Sequence, residues 1–127
     1  MDLGQYKDLF LTESQKQVDG LKILFEELGK NPAAFDKLEE AMRLSHTLKG
    51  MAGMMSFDKL TKVSQQMEET LNSYCVNKEE INPGAVSALA KGLEALNALV
   101  NDIKDDKDSA VVIDDVIAEI KKVKFGT

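Results

Sequence analysis

His46 is the only histidine in this 127-residue chain, and the residue types around it could support group transfer. A neutral imidazole carries a proton on one nitrogen and a free lone pair on the other. Its pKa lies near working pH, so it can accept a group and pass it on. At about 100° of rotation per residue, the apolar arc of its segment centres near Ala41 and Leu48, and His46 falls roughly 140° away, on the surface. Lys49 at i+3, Gly50 at i+4 and Gly53 at i+7 lie beside it on that surface. A glycine inside a helix costs about 1 kcal/mol relative to alanine, so two next to an exposed histidine need a reason. Close approach by another molecule is one; close packing of helices around an ordinary surface histidine is the other, and the pattern alone leaves both open.

Lys49 could place its ammonium, a compact point charge, beside the imidazole, or it is a solvated surface lysine. Glu68 lies about 100° off the apolar stripe of its own segment, on a flank that can face His46 across a short turn. There it could accept an imidazole N–H, or it is a solvated glutamate. The chain offers no cysteine or histidine cluster for a metal, no glycine-rich phosphate loop and no nucleophile–base–acid set, which argues against an autonomous enzyme.

These side chains need helices to hold them. Prolines occur only at Pro32 and Pro83, each after an asparagine, and between them apolar residues recur every three and four positions without period-two alternation. The first predicted helix runs from about Gln5 to Leu28, with Tyr6, Phe10, Val18, Leu21, Phe25 and Leu28 inward and Gly29 as its terminator. The second runs from about Ala33 to Met54, burying Leu38, Ala41, Leu44, Leu48, Ala52 and, at its end, Met55. Ser56 is expected to cap a third, Phe57 to about Tyr74, striped by Leu60, Val63, Met67, Leu71 and Tyr74. Asn82 and Pro83 open a fourth, with Val86, Leu89, Leu93, Leu96, Val100 and Ile103 inward up to the charged stretch Lys104 to Asp108. That stretch lacks the glycine and terminal glutamate of a calcium loop and reads as a solvated helix end. A fifth, about Val112 to Lys124, has acids early and lysines late, matching the helix dipole.

Short connections make the neighbours antiparallel, so the expected fold is all-α: an up-and-down antiparallel four-helix bundle with an additional C-terminal helix. Residues 1–127 read as one domain, with a bundle core at about 5–106 and the fifth helix at about 112–124. The net charge of −6 opposes nucleic-acid binding. The lone Cys75 cannot form an internal disulfide, which fits a reducing cytoplasm. No apolar run approaches the ~20 residues of a membrane span, and Met1-Asp2-Leu3-Gly4 does not begin like an export signal, so neither membrane insertion nor export is expected.

The stretch Leu44-Ser45-His46-Thr47-Leu48-Lys49-Gly50-Met51-Ala52-Gly53 resembles the histidine-phosphotransfer (HPt) motif of the CheA family of chemotaxis histidine kinases. Phe10, Glu13, Phe57 and Met67-Glu68 are also similar to that family's pattern, and the resemblance covers roughly Leu3 to Leu99. It implies that His46 accepts the γ-phosphoryl group of ATP and relays it to an aspartate of CheY- or CheB-like response regulators. Glu68 would orient the imidazole, and Lys49 would supply charge to the phosphate. The domain would hold no cofactor or metal of its own, ATP and magnesium being bound by the kinase ATP-binding domain of the same protein, acting in trans within a dimer. This chain would then be the N-terminal fragment of a larger cytoplasmic kinase, itself attached to chemoreceptor arrays, and a phosphocarrier rather than an enzyme by itself. Gln65 stands where the family often has a second histidine; it can hydrogen-bond but cannot titrate near neutrality. With Gly50 and Gly53 it is assigned to the partner-docking surface. The rival reading is a helical docking module for a kinase or regulator that takes no phosphate.

Overall fold

The computed structural model describes residues 2–126, and among them all regular structure is helical. The helices are α1 (Leu3–Lys30), α2 (Phe35–Met54), α3 (Asp58–Asn77), α4 (Pro83–Lys104) and α5 (Asp114–Lys122). Helices α1 to α4 pack in a ring, α1 on α2 and α4, α3 on α2 and α4, with α2–α3 the most extensive contact. Each neighbour runs antiparallel to the last: Gly20 meets Leu44 across α1–α2, Met67 meets Gly92 across α3–α4, and α1 meets α4 at Gly29–Val86 and through the Lys7–Asp106 ion pair. The expected four-helix bundle with an added C-terminal helix is the fold observed.

The inward stripes are largely those expected, with Leu21, Leu28, Leu38, Leu48, Leu60, Met67, Leu71, Leu89 and Leu96 fully buried. Tyr6 is an exception: it stands half exposed near the start of α1. Several boundaries also differ. Gly29 does not end α1, because the helix continues to Lys30 and Asn31 closes it, its N–H donating to the Glu27 carbonyl. Pro32 then holds the preceding residue extended and stops the helix. The second helix begins at Phe35 rather than Ala33, because the Asn31 side chain accepts from the Ala33 N–H and holds the chain in a turn. Ser56 is not the cap of α3: it occupies the left-handed region at φ 60°, and Phe57 takes the cap position without a side-chain bond. Asn82 does cap α4, accepting from the Ala85 N–H at 2.7 Å, with Pro83 in the first turn.

The fifth helix is shorter than expected because the chain before it is held open. Lys59 donates to the carbonyls of Ser109 and Val111, and the Ser109 hydroxyl accepts from the Val111 N–H. From Asp114 onward α5 lies on α3 and α4. Ile120 is fully buried over Gly92, where a Cβ would come within 2.6 Å of its Cδ1. The Tyr74 hydroxyl donates to the Val123 carbonyl at 2.6 Å and accepts from Asn82, while Thr70 donates to the Ile120 carbonyl. Among the described residues, no helix is long and apolar enough to cross a membrane.

Candidate functional site

The three-residue connection between α2 and α3 sets His46 and Glu68 level with each other. His46 Nδ1 lies 2.7 Å from Glu68 Oε1. The two partners differ in exposure: the imidazole is 66% exposed, whereas the carboxylate, in the seam between the helices, is 20% exposed. Lys49, one turn on from His46, brings its ammonium to 2.7 Å from Glu68 Oε2. That oxygen is otherwise buried, and the lysine is its partner. One carboxylate thus bridges an imidazole and an ammonium.

Burial by itself would push the Glu68 carboxyl up. Hydrogen bonds from Lys49 and His46, and then their charges, outweigh it and leave the group below its ordinary value of 4.5. Glu68 is therefore ionised at neutrality and can only accept. The short contact then requires the proton on Nδ1, which assigns the lone pair to Nε2 on the exposed side of the ring. Beneath it the Ser45 hydroxyl is buried but satisfied on the Ala41 carbonyl at 3.0 Å, so it does not compete for the imidazole. The rest of α2's inward face is likewise closed, with Ala41, Leu48 and Ala52 fully buried.

Gly50 and Gly53 are exposed on the same helix face, and a Cβ added to either would meet no atom of the chain within 4 Å. Close helix packing is therefore not their reason. The glycines that packing does require are Gly20, opposite Leu44, and Gly92, beneath Ile120. Gln65 does not reach His46; its amide points to Glu69 at 3.5 Å, one turn along α3. It lines a shallow hollow of about 280 Å³ with Lys49 and Glu68, on the α3 side of the pair.

His46 itself opens into a larger hollow of about 570 Å³, whose wall includes Gln17, Glu40, Arg43, Thr47 and Glu68. Sequence reasoning passed over Arg43, although a position three residues before His46 lies on the same helix face. A separate groove between α1 and α4, about 550 Å³, has Val18, Phe25 and Leu93 in its wall with Asp19, Lys22 and Glu94, and holds no nucleophile. Cys75 offers no alternative nucleophile, since burial, then the nearby Glu39 charge, pushes its thiol up. Among the described residues, no group of three or more histidine, cysteine or acidic side chains is placed to hold a metal.

The family model for the Hpt domain matches residues 5–99 of the chain. Chemotaxis protein CheA of Bacillus subtilis is 28% identical over 120 residues, covering 94% of this chain and 18% of that protein. CheA of Halobacterium salinarum is 24% identical over 125 residues, 95% of this chain and 19% of the relative. The sensor histidine kinase CheAY of Helicobacter pylori is 27% identical over 104 residues, 82% and 13%. The chain thus spans less than a fifth of the length of these relatives. No solved structure gives a significant match.

Proposed function

The chain belongs to the Hpt domain family, and on that premise we propose that His46 is its phosphoacceptor, relaying a phosphoryl group within a chemotaxis-type histidine kinase. The observation that carries the reading is the exposed imidazole whose Nδ1 is held by the ionised Glu68, leaving Nε2 free to attack. In the forward step the Nε2 lone pair forms a bond to the γ-phosphorus of ATP. The bond from that phosphorus to the β–γ bridging oxygen breaks, and its electron pair leaves with ADP. Nδ1 keeps its proton, so the ring becomes cationic, and the Glu68 carboxylate 2.7 Å away stabilises the charge as it develops.

Lys49 fixes the other carboxylate oxygen, so Glu68 cannot swing away, and its ammonium remains beside the incoming phosphoryl group. In the onward step an aspartate oxygen of a response regulator attacks the phosphorus, and the N–P electron pair returns to Nε2. Positioning and charge stabilisation are most of what phosphoryl transfer asks of a protein. ATP and magnesium would be held by a separate kinase domain of the same protein, acting in trans in a dimer. CheY- and CheB-like regulators would be the acceptors. The open surface over Gly50 and Gly53 gives such partners room to approach.

The test is incubation of this chain with a CheA-type kinase catalytic domain and magnesium ATP, followed by site mapping. Label should appear at His46 alone, labile to acid and stable to alkali, and His46→Gln should fold and take none. An acid-stable phosphoserine or phosphothreonine as the main product would overturn the assignment.

A further inference from the structure

We propose that Arg43, the chain's single arginine, binds the phosphoryl oxygens on Nε2 of His46, an inference that rests on the phosphoacceptor reading above. Three observations carry it. With Nδ1 committed to Glu68, a phosphoryl group on this ring sits on its exposed side, over the hollow that His46 and Arg43 share. The ammonium of Lys49 is already 2.7 Å from a carboxylate oxygen, so much of its charge is spent inside the site. Arg43 is exposed and, among the described residues, no carboxylate oxygen lies within 4.0 Å of its guanidinium, Glu40 on the wall of the same hollow included.

A guanidinium is suited to the task. Its planar fork matches two phosphoryl oxygens at once, and it is less strongly hydrated than an ammonium. Placed three residues before His46, it occupies the neighbouring turn of the same helix face, opposite in direction to Lys49. The phosphoryl group would then lie between a cation that holds the base-side carboxylate and a cation with no carboxylate partner among the described residues.

The experiment labels wild-type, Arg43→Gln, Arg43→Lys and Lys49→Gln chains in two ways and maps the site each time. One arm uses phosphoramidate alone, where Nε2 forms the N–P bond as the donor's N–P bond breaks and ammonia leaves. The other uses a CheA-type kinase catalytic domain with magnesium ATP. Arg43→Gln should slow labelling of His46 about tenfold in both arms, equivalent to about 1.4 kcal/mol at the transition state, and should shift the phosphorus resonance of the phosphohistidine. Arg43→Lys, which keeps charge and loses the fork, should recover part of the rate. Wild-type labelling by phosphoramidate and an unshifted phosphorus resonance in Arg43→Gln would overturn the inference, even if the kinase arm slowed, because that pattern belongs to partner docking. Failure of the wild-type chain to take label at His46 from the kinase would instead overturn the phosphoacceptor reading, while the phosphoramidate arm would still decide Arg43.

Discussion

Replacing Gly50 separates what the fold needs from what a partner needs. The position is inside α2, exposed, and an added Cβ would meet nothing within 4 Å, so the folded state gains no clash. Only the propensity difference remains, and Gly50→Ala should stabilise the domain by about 0.8–1.0 kcal/mol. For a chain of this length, with an unfolding entropy of roughly 2.1 cal/mol/K per residue, that is a rise of about 3–4 °C in melting temperature. Thermal melts followed by circular dichroism measure it directly. Phosphotransfer should move the other way as the side chain grows: Gly50→Leu and Gly53→Leu should retain helicity and melt no lower than wild type yet slow transfer from a kinase domain. A lower melting temperature in Gly50→Ala would refute the open-space geometry. Wild-type transfer by both leucine variants would refute the docking role of the glycines.

Other outcomes follow from the same contacts. Glu68→Gln keeps size and one acceptor oxygen but loses charge, so the bundle should persist while labelling of His46 slows on the order of tenfold, the worth of a charge-assisted hydrogen bond lost at the transition state. Imidazole nitrogen shifts should report loss of the single Nδ1–H tautomer, and Glu69→Gln, whose wild-type carboxylate accepts from Gln65 rather than His46, should change neither readout. The carboxyl of Glu68 is held below 4.5, so the unfolded chain protonates there first as pH falls. Its stabilising contribution is therefore complete above that value and is lost as pH drops through the lowered folded pKa. Denaturant unfolding across acid pH should show the difference between wild type and Glu68→Gln shrinking in that window, and a difference independent of pH would contradict it. Tyr74→Phe removes the hydroxyl between Val123 and Asn82 and should lower the melting temperature by about 4–6 °C, for a loss of about 1–1.5 kcal/mol, with labelling of His46 unchanged. An unchanged melt would show that the hydroxyl does not anchor the C-terminal segment.

What could be read from the sequence was what depends on period and chain length. His46 falls outside the apolar arc by rotation alone, and Glu68 meets it because a short turn forces α2 and α3 into antiparallel register. The pairing of Lys49 with Glu68 is a different matter: it depends on rotamers, and a lysine at i+3 could equally have reached outward. Gly50 and Gly53 were ambiguous because composition does not distinguish a glycine facing a helix from one facing solvent; here Gly20 and Gly92 are the packing glycines. The docking of α5 was hidden for a related reason. Its site is made by the missing side chain of Gly92 and by hydroxyls of Thr70 and Tyr74, none of which announces a partner distant in sequence. Ser56 looked like a cap by type, but the tight α2–α3 turn demands a positive φ there, and the demand of the turn prevails.

That turn also bears on how a carrier can be both accessible and oriented. On the proposed reading the imidazole meets two partners in succession and has to stand clear of the bundle, yet an exposed side chain normally samples several rotamers. The chain meets this by separating the two requirements. The ring stays 66% exposed, while the group that orients it is 20% exposed and is held at its second oxygen by Lys49. Freedom is removed from below, through the helix seam, and among the described residues no lid closes over Nε2. On the proposed reading the direction of approach is left to the partner, which would cross the open face at positions 50 and 53, where an added Cβ would meet no atom of the chain within 4 Å. If His46 is the phosphoacceptor proposed above, a domain built this way contributes a preset lone pair and its counter-charges, and most of the remaining donors to the phosphoryl group would arrive with whatever docks there.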